Sequence, residues 1–192
     1  MPKIRANGLD IYVERRGPED GEPLLMLNGY TYSHKVWPPG FVRALGEQGF
    51  SVILTDNRDI GRSSLLEHLD PPDLRRITAN RLLGRRSRSA PYHLDDMAAD
   101  AVGVLDALGI DRAHVVGFSM GGMIGQRMAI DHRARVRSLT LMSTDTGSPL
   151  DGLPTPESSP RRSPLPCTAP AWRAMPRVLT PQSYALAPIS AQ

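Results

Sequence analysis

The sequence predicts an α/β fold, with a mostly parallel β-sheet that carries helices on both faces. Two observations lead to this prediction. Strand-like and helix-like segments alternate along residues 3–143 in the order β-β-β-α-β-α-β-α-β. In addition, "PLLMLNG" and "FSVILTD" are continuous apolar runs, as expected of strands that are buried on both faces of a parallel sheet.

The elements in the first third of the chain follow from turn and helix signals. "KIRANGLDIYVERRG" predicts two short strands joined at Asn7-Gly8, a pair that favours the positive φ angles of a tight hairpin. "PLLMLNG" is the third strand. A helix is predicted from about Pro39 to Gln48, with Gly49 as its stop, and "FSVILTD" follows it as the next buried strand.

The later elements show the same alternation. "LDDMAADAVGVLDALGI" predicts an amphipathic helix, because Met97, Val102, Leu105 and Leu108 fall at helical spacing. "AHVVGFS" is the next strand, "MGGMIGQRMAIDH" the next helix and "VRSLTLMS" the last strand. Nothing after that strand has a strand pattern that could pair with it, so we expect an open, apolar sheet edge through which the chain could self-associate.

Composition excludes several classes of protein. The chain has 192 residues with 40% apolar content, and it contains no run of eighteen apolar residues, so no membrane association is expected. The start "MPKIRANG" lacks the pattern of a secretion signal, and the lone Cys167 cannot form an internal disulfide framework. We therefore expect a cytoplasmic protein.

The basic residues do not indicate a nucleic-acid partner. The formal net charge is +3, and one local cluster comprises Arg75, Arg76, Arg81, Arg85, Arg86 and Arg88. A basic stripe could bind phosphates, but no aromatic residues are interleaved with it for base stacking. A solvated loop or short helix is the simpler interpretation, and no nucleic-acid binding is predicted.

Ser119 is the candidate catalytic residue. It stands in Gly117-Phe118-Ser119-Met120-Gly121, where a predicted strand changes into a predicted helix. Reactive groups collect at the carboxyl ends of strands in such sheets. The flanking glycines suit a sharp turn, because close approach of the backbone leaves no room for a Cβ atom. This turn would lift the serine hydroxyl out of the sheet and aim the Met120 N–H at the same space.

Four motifs in the same order resemble the α/β-hydrolase family, in particular its branch of small bacterial esterases that includes aclacinomycin methylesterase. They are "LNGY", "TDNRDIGRSS", "LDDMAADAVGVLDALGIDRAHVVG" and "GFSMGG", within Lys3 to Ser148. The resemblance implies that Ser119 is the nucleophile and that the backbone N–H groups of Tyr30 and Met120 form the oxyanion hole. It also implies a small-molecule ester substrate, with no cofactor and no metal. Asn28 occupies a position where the family more commonly has histidine.

A base for Ser119 is harder to find. In this fold the chain order is serine, then aspartate or glutamate, then histidine. His132 is the one histidine after Ser119, but thirteen residues along a helix place it about 20 Å away. His34, beside the oxyanion loop, is the candidate substitute base. Asp145 is the candidate acid, although the simpler interpretation is a turn residue in "STDTGS".

A second group of polar residues lies after the fourth strand. Asp56, Asn57, Arg58 and Asp59 resemble catalytic groups in type and position. Their simpler role is to hold the loop beside the crevice through hydrogen bonds, and this is the role we predict.

The composition changes after residue 147. Ten of the forty-five residues from Ser148 to Gln192 are proline, which removes backbone donors and restricts each preceding residue. We expect residues 1–147 to form the N-terminal part of a hydrolase domain and residues 148–192 to be a disordered or extended tail. Relatives in the family continue instead with a helical cap and further strands carrying the acid and the histidine, so the hypothesis is a truncated or frameshifted hydrolase.

Two functions therefore stay open. The first is a serine esterase or related acyl hydrolase that forms an acyl-enzyme at Ser119. The second is a catalytically inactive remnant that acts at most as a binding module, because no histidine is well placed to activate the serine. A cofactor-free perhydrolase shares the serine turn but needs the same base. As it stands, the chain is expected to hydrolyse activated esters poorly or not at all.

Overall fold

The computed structural model describes residues 3–67 and 90–146, together with Arg75 and Ala79. The described residues form one six-stranded sheet with helices on both faces, as predicted. The predicted tail 148–192 and five of the six clustered arginines lie outside the described residues, and Arg75 is exposed.

The elements follow the predicted order. The strands are β1 (Lys3–Ala6), β2 (Leu9–Arg16), β3 (Glu22–Leu27), β4 (Phe50–Thr55), β5 (Ala113–Phe118) and β6 (Val136–Met142). The helices are α1 (Pro39–Glu47), α2 (Leu94–Ala107) and α3 (Met120–Asp131), and short 3₁₀ turns occupy His34–Val36 and Arg133–Arg135.

The strand order brings the functional loops together. The sheet has the order β1-β2-β4-β3-β5-β6, in which β1, β2 and β4 pair antiparallel and β4, β3, β5 and β6 pair parallel. The four parallel strands therefore end at the same edge of the sheet. Because β3 and β5 are neighbours, the loop after β3 lies beside the turn after β5.

The β1–β2 hairpin turns at the predicted pair. Asn7 has φ 47° and Gly8 has φ 77°, the two positive values that a tight type I′ turn requires. Ala6 then pairs with Leu9 across the turn. The prediction of a hairpin at Asn7-Gly8 is confirmed.

The apolar strands are buried on both faces. One core cluster lies between the sheet and helices α2 and α3, and it includes Leu25, Leu27, Val104, Leu105, Ile124 and Met128. The other lies between the sheet and α1, and it includes Met26, Val42, Val52 and Leu54. Burying each such side chain contributes about 1.5–3 kcal/mol, so the two layers together hold the strands that carry the site.

Strand β6 forms one edge of the sheet in the described part of the chain. Its described partner is β5, and Thr140 and Leu141 are exposed on it. Leu141 keeps 46% of its surface exposed. Leu141 therefore leaves an apolar side chain exposed at the edge where an additional strand could pair.

Candidate active site

Ser119 lies at the turn between β5 and α3, at the carboxyl edge of the parallel strands. Its backbone has φ 53° and ψ −121°. A positive φ is unfavourable for a residue with a side chain and costs on the order of 1–3 kcal/mol. The surrounding structure must therefore hold this residue in place.

The glycines on either side of Ser119 are required by close packing. A Cβ on Gly117 would lie 2.6 Å from the Cα of Gly122, and a Cβ on Gly121 would overlap the carbonyl oxygen of Leu27. The first turn of α3 thus presses against the end of β3. This close approach is the reason that the sequence has glycine at both positions.

Hydrogen bonds hold the main chain of Ser119. Its N–H donates to the carbonyl oxygen of Met142 at 2.9 Å. Its own carbonyl oxygen accepts from the Thr144 hydroxyl at 2.7 Å and from the Gly122 N–H at 2.9 Å. The end of β6 and the residues after it therefore fix the turn that carries the serine.

The loop after β3 packs directly on this turn. A Cβ on Gly29 would lie 3.2 Å from the Cβ of Ser119. The next residue, Tyr30, has 73% of its surface exposed, and Tyr32 contacts Phe118 with ring centroids 6.1 Å apart. Tyr30 is thus adjacent in sequence to the residue that touches the serine.

Met120, the other predicted oxyanion residue, is the first residue of α3. The N–H groups of the first helical turn have no acceptor within their own helix. No group of α3 accepts from the Met120 N–H, so α3 leaves this amide available to a ligand at the serine. Its partly buried side chain packs on the core cluster beneath α2 and α3.

Asn28 anchors the loop from below. Its side chain is fully buried, and its amide donates to the carbonyl oxygen of Thr55 while its Oδ1 accepts from the Trp37 indole N–H at 2.7 Å. The carbonyl oxygen of Asn28 accepts in turn from the Asn57 side chain at 3.2 Å. The asparagine that replaces the commoner histidine therefore joins the loop to the end of β4.

His34 is held between two carboxylates. Its Nδ1 lies 2.7 Å from Asp56 Oδ1 and its Nε2 lies 3.8 Å from Glu14 Oε2. Burial raises the pKa of Glu14, but hydrogen bonds from Tyr12 and Arg16 outweigh this and lower it below the ordinary value. Because both ring nitrogens face carboxylates, the structure gives no support to the prediction of His34 as the substitute base.

The polar residues after β4 hold their loop, as predicted. Asp56 Oδ2 accepts from the Arg62 N–H at 3.0 Å, and Asp59 Oδ1 accepts from the Leu66 N–H at 2.6 Å. Asn57 reaches the neighbouring loop through Asn28. Their partners are groups of the fold, which supports the structural role.

Arg58 forms a buried ion pair. Its Nε and a terminal nitrogen each lie 2.7 Å from the carboxylate of Asp100 on α2, and both side chains are 8% exposed. Burial lowers the pKa of the Arg58 guanidinium, but the hydrogen bonds to Asp100 outweigh this and raise it. The pair fastens the loop after β4 to α2.

The remaining histidines and Asp145 form no described hydrogen bond with the Ser119 hydroxyl in residues 3–67 and 90–146. His93 precedes α2, His114 lies near the start of β5, and His132 caps the far end of α3, while His68 is outside the described residues. Asp145 is exposed after β6, and its carbonyl oxygen accepts from the Gln126 side chain at 2.7 Å.

Most of the chain matches a family of known proteins. Residues 22–164 match the family described as alpha/beta hydrolase fold. The chain belongs to this family. The alpha/beta hydrolase fold predicted from the sequence is therefore confirmed.

Several hydrolases are similar to this alpha/beta hydrolase. Rhodomycin D methylesterase of Streptomyces peucetius is 36% identical over 139 residues, which are 72% of this chain and 40% of that protein. RutD of Variovorax paradoxus, named as a carbamate hydrolase, is 36% identical over 70% of this chain and 42% of its own length. The solved enol-lactonase of Burkholderia xenovorans has 26% identity and a TM-score of 0.59, covering 74% of this chain and 46% of that one.

The chain spans about 40% of the length of the curated relatives it matches. The family match contains strands β3 to β6 and the serine turn, whereas β1 and β2 precede it. No described helix of this alpha/beta hydrolase is long and apolar enough to cross a bilayer.

Proposed function

We propose that this chain carries the nucleophile half of a serine hydrolase that acts on a carboxylic ester or a related acyl compound. One observation carries the proposal: Ser119 has φ 53° on a turn between strand and helix, with Gly29 packed against its Cβ. A strained serine at the carboxyl edge of the sheet is typical of the nucleophile in this fold.

The proposed reaction begins with attack of the Ser119 hydroxyl oxygen on the acyl carbon. The hydroxyl proton passes to a base, and the carbonyl oxygen becomes an oxyanion that accepts hydrogen bonds from the backbone N–H groups of Tyr30 and Met120. The base returns the proton to the leaving alcohol as the acyl-serine forms, and water then hydrolyses the acyl-serine. Each oxyanion donor is worth about 3 kcal/mol in such sites.

The relatives suggest the substrate class. A methyl ester, a carbamate and an enol-lactone, as the names of the similar proteins give them, all present an acyl carbon bonded to an oxygen or nitrogen leaving group. The shared requirement is a nucleophile beside an oxyanion site. We therefore propose a small, neutral acyl compound, with no metal or cofactor needed for the attack.

Asp145 is the proposed acid of this site. It follows β6, the strand next to β5, and the Gln126 side chain on α3 binds its main chain. A carboxylate in this region could orient a histidine that approaches Ser119. No described histidine does so, and the general base is the missing part of the proposal.

A second candidate function is a non-catalytic remnant or binding module. The specific observation in its favour is the position of the described histidines, none of which is bonded to Ser119. Loss of the base from a serine triad costs on the order of 10⁶ in turnover, or about 8 kcal/mol of transition-state stabilisation. A chain without a base would keep the loop and the serine but show little turnover.

The test is hydrolysis of p-nitrophenyl acetate by the purified chain, beside Ser119→Ala and His34→Ala. Turnover at ordinary esterase rates that Ser119→Ala abolishes would support the serine hydrolase, whereas a chain with no base should turn over on the order of 10⁶ more slowly than an intact triad and lose little more in Ser119→Ala. Equal rates in all three proteins would favour the remnant. Ordinary esterase rates that are lost in both variants would instead make His34 the base.

A further inference from the structure

A second group of reactive side chains lies at the end of the sheet opposite Ser119. Phe50, Glu22, His114 and Ser138 come from the neighbouring strands β4, β3, β5 and β6. The strand register places Glu22 beside Phe50 and places His114 beside Ser138. His114 is five residues before Ser119 on β5, so the two positions are about 16 Å apart.

An irregularity in strand pairing creates the contact between His114 and Ser138. Ala113 pairs with Val136, but the next residue, His114, pairs with Ser138, which leaves Arg137 as an extra residue on β6. The Ser138 hydroxyl oxygen then lies 2.7 Å from His114 Nδ1. A regular register would have placed Arg137 opposite the histidine instead.

Glu22 faces the other ring nitrogen of His114. His114 Nε2 lies 3.9 Å from Glu22 Oε2, and the same carboxylate oxygen binds Arg137 at 2.8 Å. A carboxylate on this side favours the tautomer with its proton on Nε2. In that tautomer Nδ1 is the acceptor, and the Ser138 hydroxyl donates to it.

The surroundings keep the ring neutral but accessible. Burial lowers the pKa of His114 below its ordinary value, and Arg137 lowers it further, while Glu22 opposes both. The edge of the Phe50 ring packs at 5.8 Å between centroids. The His114 side chain is 23% exposed and Ser138 is partly exposed, so a small molecule can reach the pair.

We propose that Ser138 and His114 form a second nucleophile–base pair, which takes an acyl group from small activated esters independently of Ser119. A serine bonded to a neutral imidazole whose other nitrogen faces a carboxylate has the parts that activate a hydroxyl. Glu22 is a positioning residue in this arrangement, since it acts through His114.

The step with p-nitrophenyl acetate is a balanced acyl transfer. The Ser138 oxygen attacks the acetyl carbon, its proton passes to His114 Nδ1, and the bond to p-nitrophenolate breaks with the electron pair leaving on that oxygen. The products are acetyl-Ser138 and p-nitrophenolate, and His114 then releases its proton to solvent. The acetyl group should remain on Ser138 as a stable label.

The experiment is peptide mass spectrometry after brief exposure of the full chain to p-nitrophenyl acetate. It uses the Ser119→Ala protein to remove the other proposed site. The internal control is Ser64, which is also partly exposed but accepts from the Asp10 N–H at 3.0 Å and contacts no base. The two serines are thus compared within one folded chain.

The expected result is faster acetylation of Ser138 than of Ser64, by about 100-fold or more, since a positioned base contributes about 10²–10⁴. His114→Gln should reduce labelling of Ser138 to the level of Ser64. Equal labelling of the two serines, or acetyl found on His114 and not on Ser138, would overturn the proposal.

Glu22→Gln tests the positioning role. The titratable and charged groups that face His114 are Glu22 and Arg137. Because the carboxylate raises the pKa of His114, its removal should move the midpoint of the pH–rate profile for Ser138 labelling to lower pH. An unchanged midpoint with unchanged labelling would remove Glu22 from the mechanism and leave Ser138 and His114 alone.

Discussion

The strained backbone of Ser119 predicts an unusual order of stabilities for its variants. Ser119→Gly and Ser119→Ala both lack the hydroxyl, but only glycine adopts φ 53° and ψ −121° without steric cost. The strain is on the order of 1–3 kcal/mol. Glycine also gives the unfolded chain more freedom, which costs about 0.4–1 kcal/mol. We therefore expect Ser119→Gly to be more stable than Ser119→Ala by about 1 kcal/mol.

The assay is urea denaturation followed by circular dichroism, with the free energy of unfolding extrapolated to water for each variant. In thermal unfolding, 1 kcal/mol corresponds to about 2–4 °C in a chain of this size. Ser33 provides the matched control, because its φ of −83° and ψ of 173° are ordinary extended values. There the order should be reversed, with Ser33→Gly less stable than Ser33→Ala by about 0.4–1 kcal/mol.

One result would refute the reasoning about strain. If Ser119→Gly is less stable than Ser119→Ala by the same amount as at Ser33, the positive φ carries no energetic cost. The hydrogen bonds that Ser119 donates to Met142 and accepts from Thr144 would then hold a conformation that the serine adopts readily.

Four further predictions concern packing, a helical glycine and the sheet edge. Asp100→Ala leaves the buried guanidinium of Arg58 unpaired, so it should lower the free energy of unfolding by about 3–5 kcal/mol in urea denaturation. Adding Arg58→Met should restore much of this lost stability. Gly121→Ala forces a Cβ into the main chain of β3 and should cost about 3 kcal/mol or more in the same assay. Gly40→Ala, in open space on α1, should raise stability by about 0.5 kcal/mol. Leu141→Lys on the exposed edge should reduce concentration-dependent association in sedimentation velocity, and unchanged association would argue against pairing through β6.

Local patterns predicted the fold well, because each element depends on residues close in sequence. Apolar runs marked β3 and β4, and Asn7-Gly8 marked the hairpin. The glycines around Ser119 marked the turn, since close backbone approach depends on residue type at adjacent positions.

Contacts between distant residues could not be predicted in the same way. Thr144 binds the carbonyl oxygen of Ser119 across 25 positions, and nothing in "STDTGS" distinguishes that threonine from an ordinary turn residue. His34 was expected beside the serine because it follows the oxyanion loop, but its pairing with Asp56 depends on how two loops pack. The contact of His114 with Ser138 depends on a one-residue shift in register, which an apolar pattern does not encode.

The bonds to Ser119 also have a consequence for the order in which the chain is made. The ribosome adds Ser119 before Met142 and Thr144, the two later residues that fix its main chain. Until they emerge, the serine can relax to negative φ while α3 forms behind it. A nascent chain that ends before Met142 should therefore contain the helix with a relaxed serine, and the strained geometry should be acquired when β6 docks.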